Sequence, residues 1–386
     1  MIYFDNAATS FPKPPAAAQA AADAIRIYGG NPGRSGHRMS MRISEKVYEV
    51  RRRAGALFDA EPENVIFTLN CTHALNIALQ GVMAKGGHII CSCLDHNAVL
   101  RPLAAMEERG QINWSAAEVV EGDDEETVRR FQQLIRRDTR AIVCTHASNV
   151  TGTLLPVQKL SALCREHGLL LILDAAQTAG VLPVRLSMGP DIICAAGHKG
   201  LGGAGIGLLV LRPGLELPPL MQGGTGSRSL DLRQPDFLPD RHEAGTLNTV
   251  GILTLGAGLE HIARYGLDRI YRYEAALCAR VDAGLRRIPG VTLLTPSFRL
   301  GEKAPIVSFN IGQLDSAAAA GLLSDRGFML RGGFHCAALA HPYLGTGHQG
   351  AVRFSPGVFN TPRQAALLVE EVKKIARNPP ARLNLS

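Results

Sequence analysis

The chain has 386 residues, of which 46% are hydrophobic, and a formal net charge of +7. That length and apolar content support roughly two or three domains around substantial cores, and they exclude an intrinsically disordered chain. No apolar run reaches the ~18 residues of a membrane span, and no basic stripe is interleaved with aromatics, so neither a membrane nor a nucleic acid is an expected partner.

In chain order, short apolar runs appear at NVIFTL (64–69), HIICSC (88–93), AIVCTH (141–146), LLLILD (169–174), DIICAA (191–196) and IGLLVL (206–211). Each is strand-length, and helical patterns separate most of them. In PVQKLSALCREHG, Pro156 opens a helix and Gly168 closes it. Strands this apolar, alternating with helices, predict an α/β fold with a mostly parallel sheet covered on both faces. GILTLGAGLEHIARYG then reads as a helix, while VTLLTP and PIVSFNI read as strands of a smaller α+β region. The expected division is a large domain over 14–260 and a small domain made of 1–13 and 261–386, with the first dozen residues pairing into it. The tail NPPARLNLS reads as loose.

The arginines Arg51, Arg52 and Arg53, then Arg129, Arg130, Arg136 and Arg137, read as solvated helix faces. None of the eight cysteines forms a C-x-x-C pair. Cys91 and Cys93 are two apart and are expected on one face of a strand, with no second pair to complete a metal site. Cysteines in apolar runs behave as small buried hydrophobes, which points to a reducing, cytoplasmic compartment. The start, MIYFDNAATS, lacks the pattern of a signal peptide.

Parallel sheets bind ligands at the carboxyl ends of their strands, and the polar residues collect there. Asn70 and Thr72 follow the first run, Asp95 and His96 the second, Ser148 and Asn149 the third, Asp174 and Gln177 the fourth, His198 and Lys199 the fifth. Five polar strand ends describe a pocket. GLGGAG (200–205) satisfies G-x-G-x-x-G, but a strand follows it where the dinucleotide fingerprint needs a helix. It reads instead as a tight turn letting backbone pass close to a ligand. A lysine at one strand end and an aspartate at another are the two protein groups that pyridoxal phosphate requires. The phosphate needs an anion cup, which the start of a helix at CTHALNIALQGV supplies.

The stretches FDNAATSFPKP, LDHNAVLRP, HASNVTGTLLP, LDAAQTAG, AAGHKGLGG, RHEAGTLNT, RGGFHCA and VRFSPGVFNT, in that order from residue 4 to 361, resemble the class V aminotransferase-fold enzymes. The likeness is to their cysteine desulfurase and selenocysteine lyase group. The resemblance implies the pyridoxal-phosphate-dependent transferase fold of type I, with a seven-stranded-type sheet. It implies pyridoxal 5′-phosphate as cofactor, L-cysteine or L-selenocysteine as substrate, a homodimer, and a sulfur-acceptor protein. Lys199 resembles the lysine bound covalently to the cofactor, Asp174 the partner of its ring nitrogen, Gln177 the donor to its phenolic oxygen and His96 the stacking histidine. Thr72 and His198 resemble phosphate ligands, and Thr246 the one lent by the partner subunit. Cys71 precedes Thr72, where backbone amides carry more of the contact. Asn149, Arg331 and Arg353 resemble the substrate-binding residues, and Cys336 the sulfur-accepting cysteine. Beside it, His335 is a candidate proton acceptor, Arg331 a charge favouring thiolate, and Gly332 with Gly333 a source of mobility. Ala196 stands where the family usually has a hydroxyl residue. Selenocysteine lyase, β-lyase or epimerase chemistry remains the alternative on the same scaffold.

Overall fold

The computed structural model describes residues 1–33 and 36–378. The tail after Asn378 lies outside the described residues. The chain begins with β1 (Ile2–Tyr3), α1 (Pro15–Arg26) and α2 (Arg38–Phe58). It then alternates β2 (Val65–Thr68), α3 (Cys71–Val82), β3 (His88–Ser92), α4 (Asn97–Glu108), β4 (Asn113–Ala117) and α5 (Asp124–Gln133). β5 (Thr139–Thr145), α6 (Val157–His167), β6 (Leu170–Asp174), β7 (Ile192–Ala196) and β8 (Gly207–Leu211) follow. Turns and loops over 212–248 lead to α7 (Thr249–Tyr265) and α8 (Leu267–Leu285). The remainder is β9 (Val291–Leu293), β10 (Val307–Ile311), α9 (Ser316–Asp325), β11 (Phe328–Met329), α10 (Ala340–Tyr343), β12 (Val352–Phe354) and α11 (Pro362–Arg377).

Seven strands form the main sheet in the order β2-β8-β7-β6-β5-β3-β4. Only β8 runs against its neighbours β2 and β7; the others are parallel. Strand period two splits the apolar residues between two cores. Ile142, Cys144, Leu171, Leu173 and Ile193 face one, while Ala141, Val143, Ile172, Ile192 and Cys194 face the other. Both faces are therefore dry, which is why these strands read as unbroken apolar runs.

Three details depart from the sequence reading. Strand β4 carries NWSAA at the sheet edge, where Asn113 and Ala116 are exposed, so it lacks the apolar signature of its neighbours. Cys91 and Cys93 face opposite cores, because β3 ends at Ser92 and the chain turns before Cys93. Arg51 is not on a solvated face. It is 5% exposed, and its guanidinium holds Glu243 through two 2.8 Å hydrogen bonds in the bidentate geometry that suits a buried pair.

The N-terminal segment packs with the C-terminal region. β1 pairs in parallel with β11, and the Phe4 and Phe354 rings pack 4.7 Å apart in the small antiparallel sheet's core. That sheet has the order β12-β10-β9. Helix α7 runs unbroken past residue 260 to Tyr265 and is capped by Gly266. It lies hard against the segment after β7, since a Cβ on Gly258 would sit 1.7 Å from the Leu201 carbonyl oxygen. This contact fixes the loop that carries Lys199.

Candidate active site

A cavity of ≈ 210 Å³ opens at the carboxyl ends of the parallel strands, lined by side chains from β2, β3, β5, β6 and β7 connections and from β12. Thr72, His96, Asn149, Asp174, Gln177, His198, Lys199, Arg331 and Arg353 all face it. Of the strand-end residues, Asp95 and Ser148 do not. Asp95 turns back onto the Ser92 amide at 2.6 Å and hydroxyl at 2.7 Å, and Ser148 accepts from the amides of Val150 and Thr151. Both build the turns that aim their neighbours.

Lys199 follows β7 in a turn closed by Gly202 N–H on the Lys199 carbonyl at 3.3 Å. A Cβ on Gly200 would stand 2.2 Å from the Ala179 carbonyl oxygen, so this glycine serves a close approach of protein to protein, rather than to a ligand as the sequence suggested. Burial lowers the Lys199 pKa; Asp174 opposes that shift, while Arg353 and Arg331 reinforce it. A lysine so placed reaches its neutral, nucleophilic form more readily than one in water.

Asp174 ends β6 and is 3% exposed. Its Oδ1 accepts the Ala176 amide at 2.9 Å and the Cys71 thiol at 3.5 Å. Gln177 Nε2 donates to the Ala7 carbonyl at 3.2 Å. His96 caps α4, with Nδ1 accepting the Ala98 amide at 3.0 Å. In the neutral ring the proton therefore sits on Nε2, and burial lowers the His96 pKa. Burial, then Lys199 and Lys13, push His198 down to about 4.

Helix α3 points its N-terminus at the same cavity. Asn70 caps it by accepting the His73 amide at 2.9 Å, which leaves the Cys71 and Thr72 amides as the dipole's open donors. Ala196 lines the cavity too and brings no hydroxyl. Thr246 is exposed and does not line it; it lies in the loop segment before α7.

Three buried polar atoms at the cavity have no protein partner among the described residues: Asn149 Oδ1, Arg353 Nε and His335 Nδ1. Arg353 is 1% exposed. Its Nη2 pairs with Asp5 Oδ1 at 2.8 Å and its Nη1 donates to the Asn149 carbonyl at 2.9 Å. Asp5 was not singled out from sequence. It lies 348 positions from Arg353 in the chain, and only the return of the N-terminus to the small sheet joins them.

Cys336 is the one exposed thiol among the described cysteines. Its Sγ lies 3.7 Å from Arg331 Nη2, at the cavity rim that Arg331 lines. The expected mobility is not what the glycines provide. A Cβ on Gly332 would fall 2.1 Å from the Ser316 carbonyl oxygen, and Gly333 exchanges backbone hydrogen bonds with Ala351. His335 and Cys336 both hold positive φ, 51° and 56°, a conformation that costs non-glycine residues about 1 kcal/mol or more. Asn149 Nδ2 holds the His335 carbonyl at 2.7 Å, and the Asn97 amide holds that of Cys336 at 2.8 Å. Asn97 is the second site residue the sequence did not reveal. His335 is a weak base: its Nε2 donates to the Ala351 carbonyl at 2.9 Å, and burial with Arg353 pushes its pKa down to about 2.

The pocket joins a half-buried lysine and a buried aspartate to an open helix N-terminus. The chain belongs to the aminotransferase class-V family, whose model matches residues 2–368. A probable cysteine desulfurase of Methanothermobacter thermautotrophicus is 31% identical over 97% of this chain and 94% of its own. A cysteine desulfurase of Escherichia coli is 30% identical, covering 98% and 94%. The apo structure of the cysteine desulfurase from Thermococcus onnurineus superposes with a TM-score of 0.90 at 30% identity, over 97% of this chain and 94% of that one.

Proposed function

We propose that the protein is a pyridoxal-phosphate-dependent cysteine desulfurase, which releases L-alanine from L-cysteine and carries the sulfur away on Cys336. The observation that carries this reading is the convergence of Lys199, Asp174, Gln177, His96 and the α3 N-terminus on one cavity, with an arginine-paired thiol at its rim. The donor set fits the cofactor: amides of Cys71 and Thr72, the Thr72 hydroxyl and His198 suit a phosphate, Asp174 a protonated ring nitrogen, Gln177 a phenolic oxygen, and His96 a ring face. Held there by Lys199, the cofactor would supply an electron sink for the α-carbon of an amino acid.

The protein's own groups do the rest. The unpaired Arg353 Nε, with Arg331, suits the substrate carboxylate, and the free Asn149 Oδ1 suits a donor such as the substrate amine. Lys199, its amine pKa lowered by burial, takes the α-proton. The Cys336 thiolate attacks the substrate sulfur. An S–S bond forms as the C–S bond breaks, the electron pair leaves with the carbon skeleton, and protonation of that skeleton yields alanine. Cys336 keeps the persulfide until a thiol acceptor takes it, and its exposure suits delivery to an acceptor protein.

The same reading extends to assembly and place. Leu230 and Leu232, fully exposed at 101% and 104%, lie in the loop segment with Thr246. These exposed leucines support a homodimer in which Thr246 reaches the partner subunit's cofactor phosphate. The eight described cysteines are free thiols, in keeping with the cytoplasm, and no described helix is long and apolar enough to cross a membrane. The small domain comprises the N-terminal segment and the residues after α7, with the junction at Gly266. The test is borohydride reduction of the purified protein followed by peptide mapping, alongside alanine release from L-cysteine and L-selenocysteine. Label on Lys199 and alanine from cysteine are expected. Label on another lysine, or alanine from selenocysteine alone, overturns the assignment.

A further inference from the structure

Cys71 opens α3 and is 7% exposed. Its Sγ lies 3.5 Å from Asp174 Oδ1, the same oxygen that accepts the Ala176 amide at 2.9 Å. Burial first, then the neighbouring Asp174 charge, push the thiol pKa well up, so Cys71 stays protonated and acts as a donor. A carboxylate at a strand end can rotate about its χ2 bond. Two donors arriving on one oxygen from different elements, α3 and the turn after β6, remove that freedom.

We propose that Cys71 is a positioning residue for this site: its S–H, together with the Ala176 amide, anchors Asp174 Oδ1 and so presents Oδ2 to a pyridinium nitrogen in the cavity. The inference rests on the cofactor reading above and adds a role to a side chain that the phosphate contact, made by the backbone, does not use. It also separates the two thiols near the substrate. Cys71 is buried against a carboxylate and serves as a fixed donor, whereas Cys336 is exposed beside an arginine and is the one free to carry sulfur.

The test compares Cys71→Ala, which removes the donor together with the sulfur atom, with Cys71→Ser, which is nearly isosteric and restores a donor. Each is purified with its cofactor and read three ways: cofactor loss on dialysis, the pH midpoint of the visible absorbance band, and kcat against KM for L-cysteine. Cys71→Ala is expected to lose cofactor about three- to tenfold faster, the range of one modest hydrogen bond, to shift the absorbance midpoint, and to lower kcat with KM unchanged. Cys71→Ser is expected to match the parent within about twofold. In an Asp174→Asn background the Cys71→Ala change is expected to add nothing, as coupling through Asp174 requires. An Ala variant indistinguishable from the parent overturns the proposal. So do Ala and Ser variants that fall together, which marks a packing role only. A parent protein with no visible band overturns the cofactor reading, and this inference with it; a normal band with unaffected variants overturns this inference alone.

Discussion

Glu274 offers a quantitative test of how a buried carboxyl on α8 is held. It lies on α8, is 7% exposed, and faces a second cavity that Lys199 and Gln177 also border. Its carboxylate takes the Val358 amide, but burial outweighs that bond and raises the pKa from 4.5 to about 8. The native state therefore keeps a proton that the unfolded chain loses above pH 4.5. Between pH 4.5 and 8 the folded protein binds more protons than the unfolded one, so stability falls as pH rises. At about 1.36 kcal/mol per pH unit, the cost is about 3 kcal/mol at pH 7 and levels off near 5 kcal/mol above pH 8. Glu274→Gln keeps an acceptor for Val358 and carries no charge at any pH. With an unfolding entropy of roughly 2 cal/mol/K per residue, the variant is expected to melt about 6 °C above the parent at pH 9. At pH 4.5 the two are expected to agree to within about 1 °C. Differential scanning calorimetry of both holoproteins across that range measures the gap. A gap independent of pH, or a variant less stable at pH 9, refutes the reasoning.

Acid acts in the other direction through buried histidines. His146, pushed down by burial to about 4, contributes stability that is present above pH 6.5 and lost as pH falls toward 4, up to about 3 kcal/mol; His198 and His242, both also near 4, add to the loss. Denaturant unfolding at pH 7, 5.5 and 4 should show it, and a flat profile would contradict it. Gly332→Ala forces a Cβ into the Ser316 carbonyl and is expected to cost about 1–3 kcal/mol while altering the rate of Cys336 alkylation; unchanged melting and alkylation would count against the held turn. Asp174→Asn is expected to keep the fold and lower kcat at least about 100-fold, the scale of a lost electrostatic contact in a reacting site, and near-normal turnover at full cofactor occupancy would remove its assigned role.

The central sheet was readable because its strands are dry on both faces, so each stands out as an apolar run, and their polar ends named most of the cavity. Edge strand β4, half wet, carried no such signal. Arg51 looked like its neighbours Arg52 and Arg53, and only Glu243, far along the chain, draws it inside. The Asp5–Arg353 pair and the Asn97 clamp on Cys336 arise where distant segments meet, which local pattern does not encode. The glycines before Cys336 showed that backbone freedom or close approach was needed, but not which. The packing against Ser316 decides for close approach.

The claim that Cys336 carries the sulfur is tested most directly by mass spectrometry of the protein quenched during turnover with L-cysteine. The account predicts one added sulfur on the peptide containing Cys336, cleared by a thiol reductant, and predicts that Cys336→Ala keeps the cofactor's absorbance while losing alanine release from cysteine. Full cysteine turnover by Cys336→Ala, or the added sulfur on a different cysteine, would contradict it.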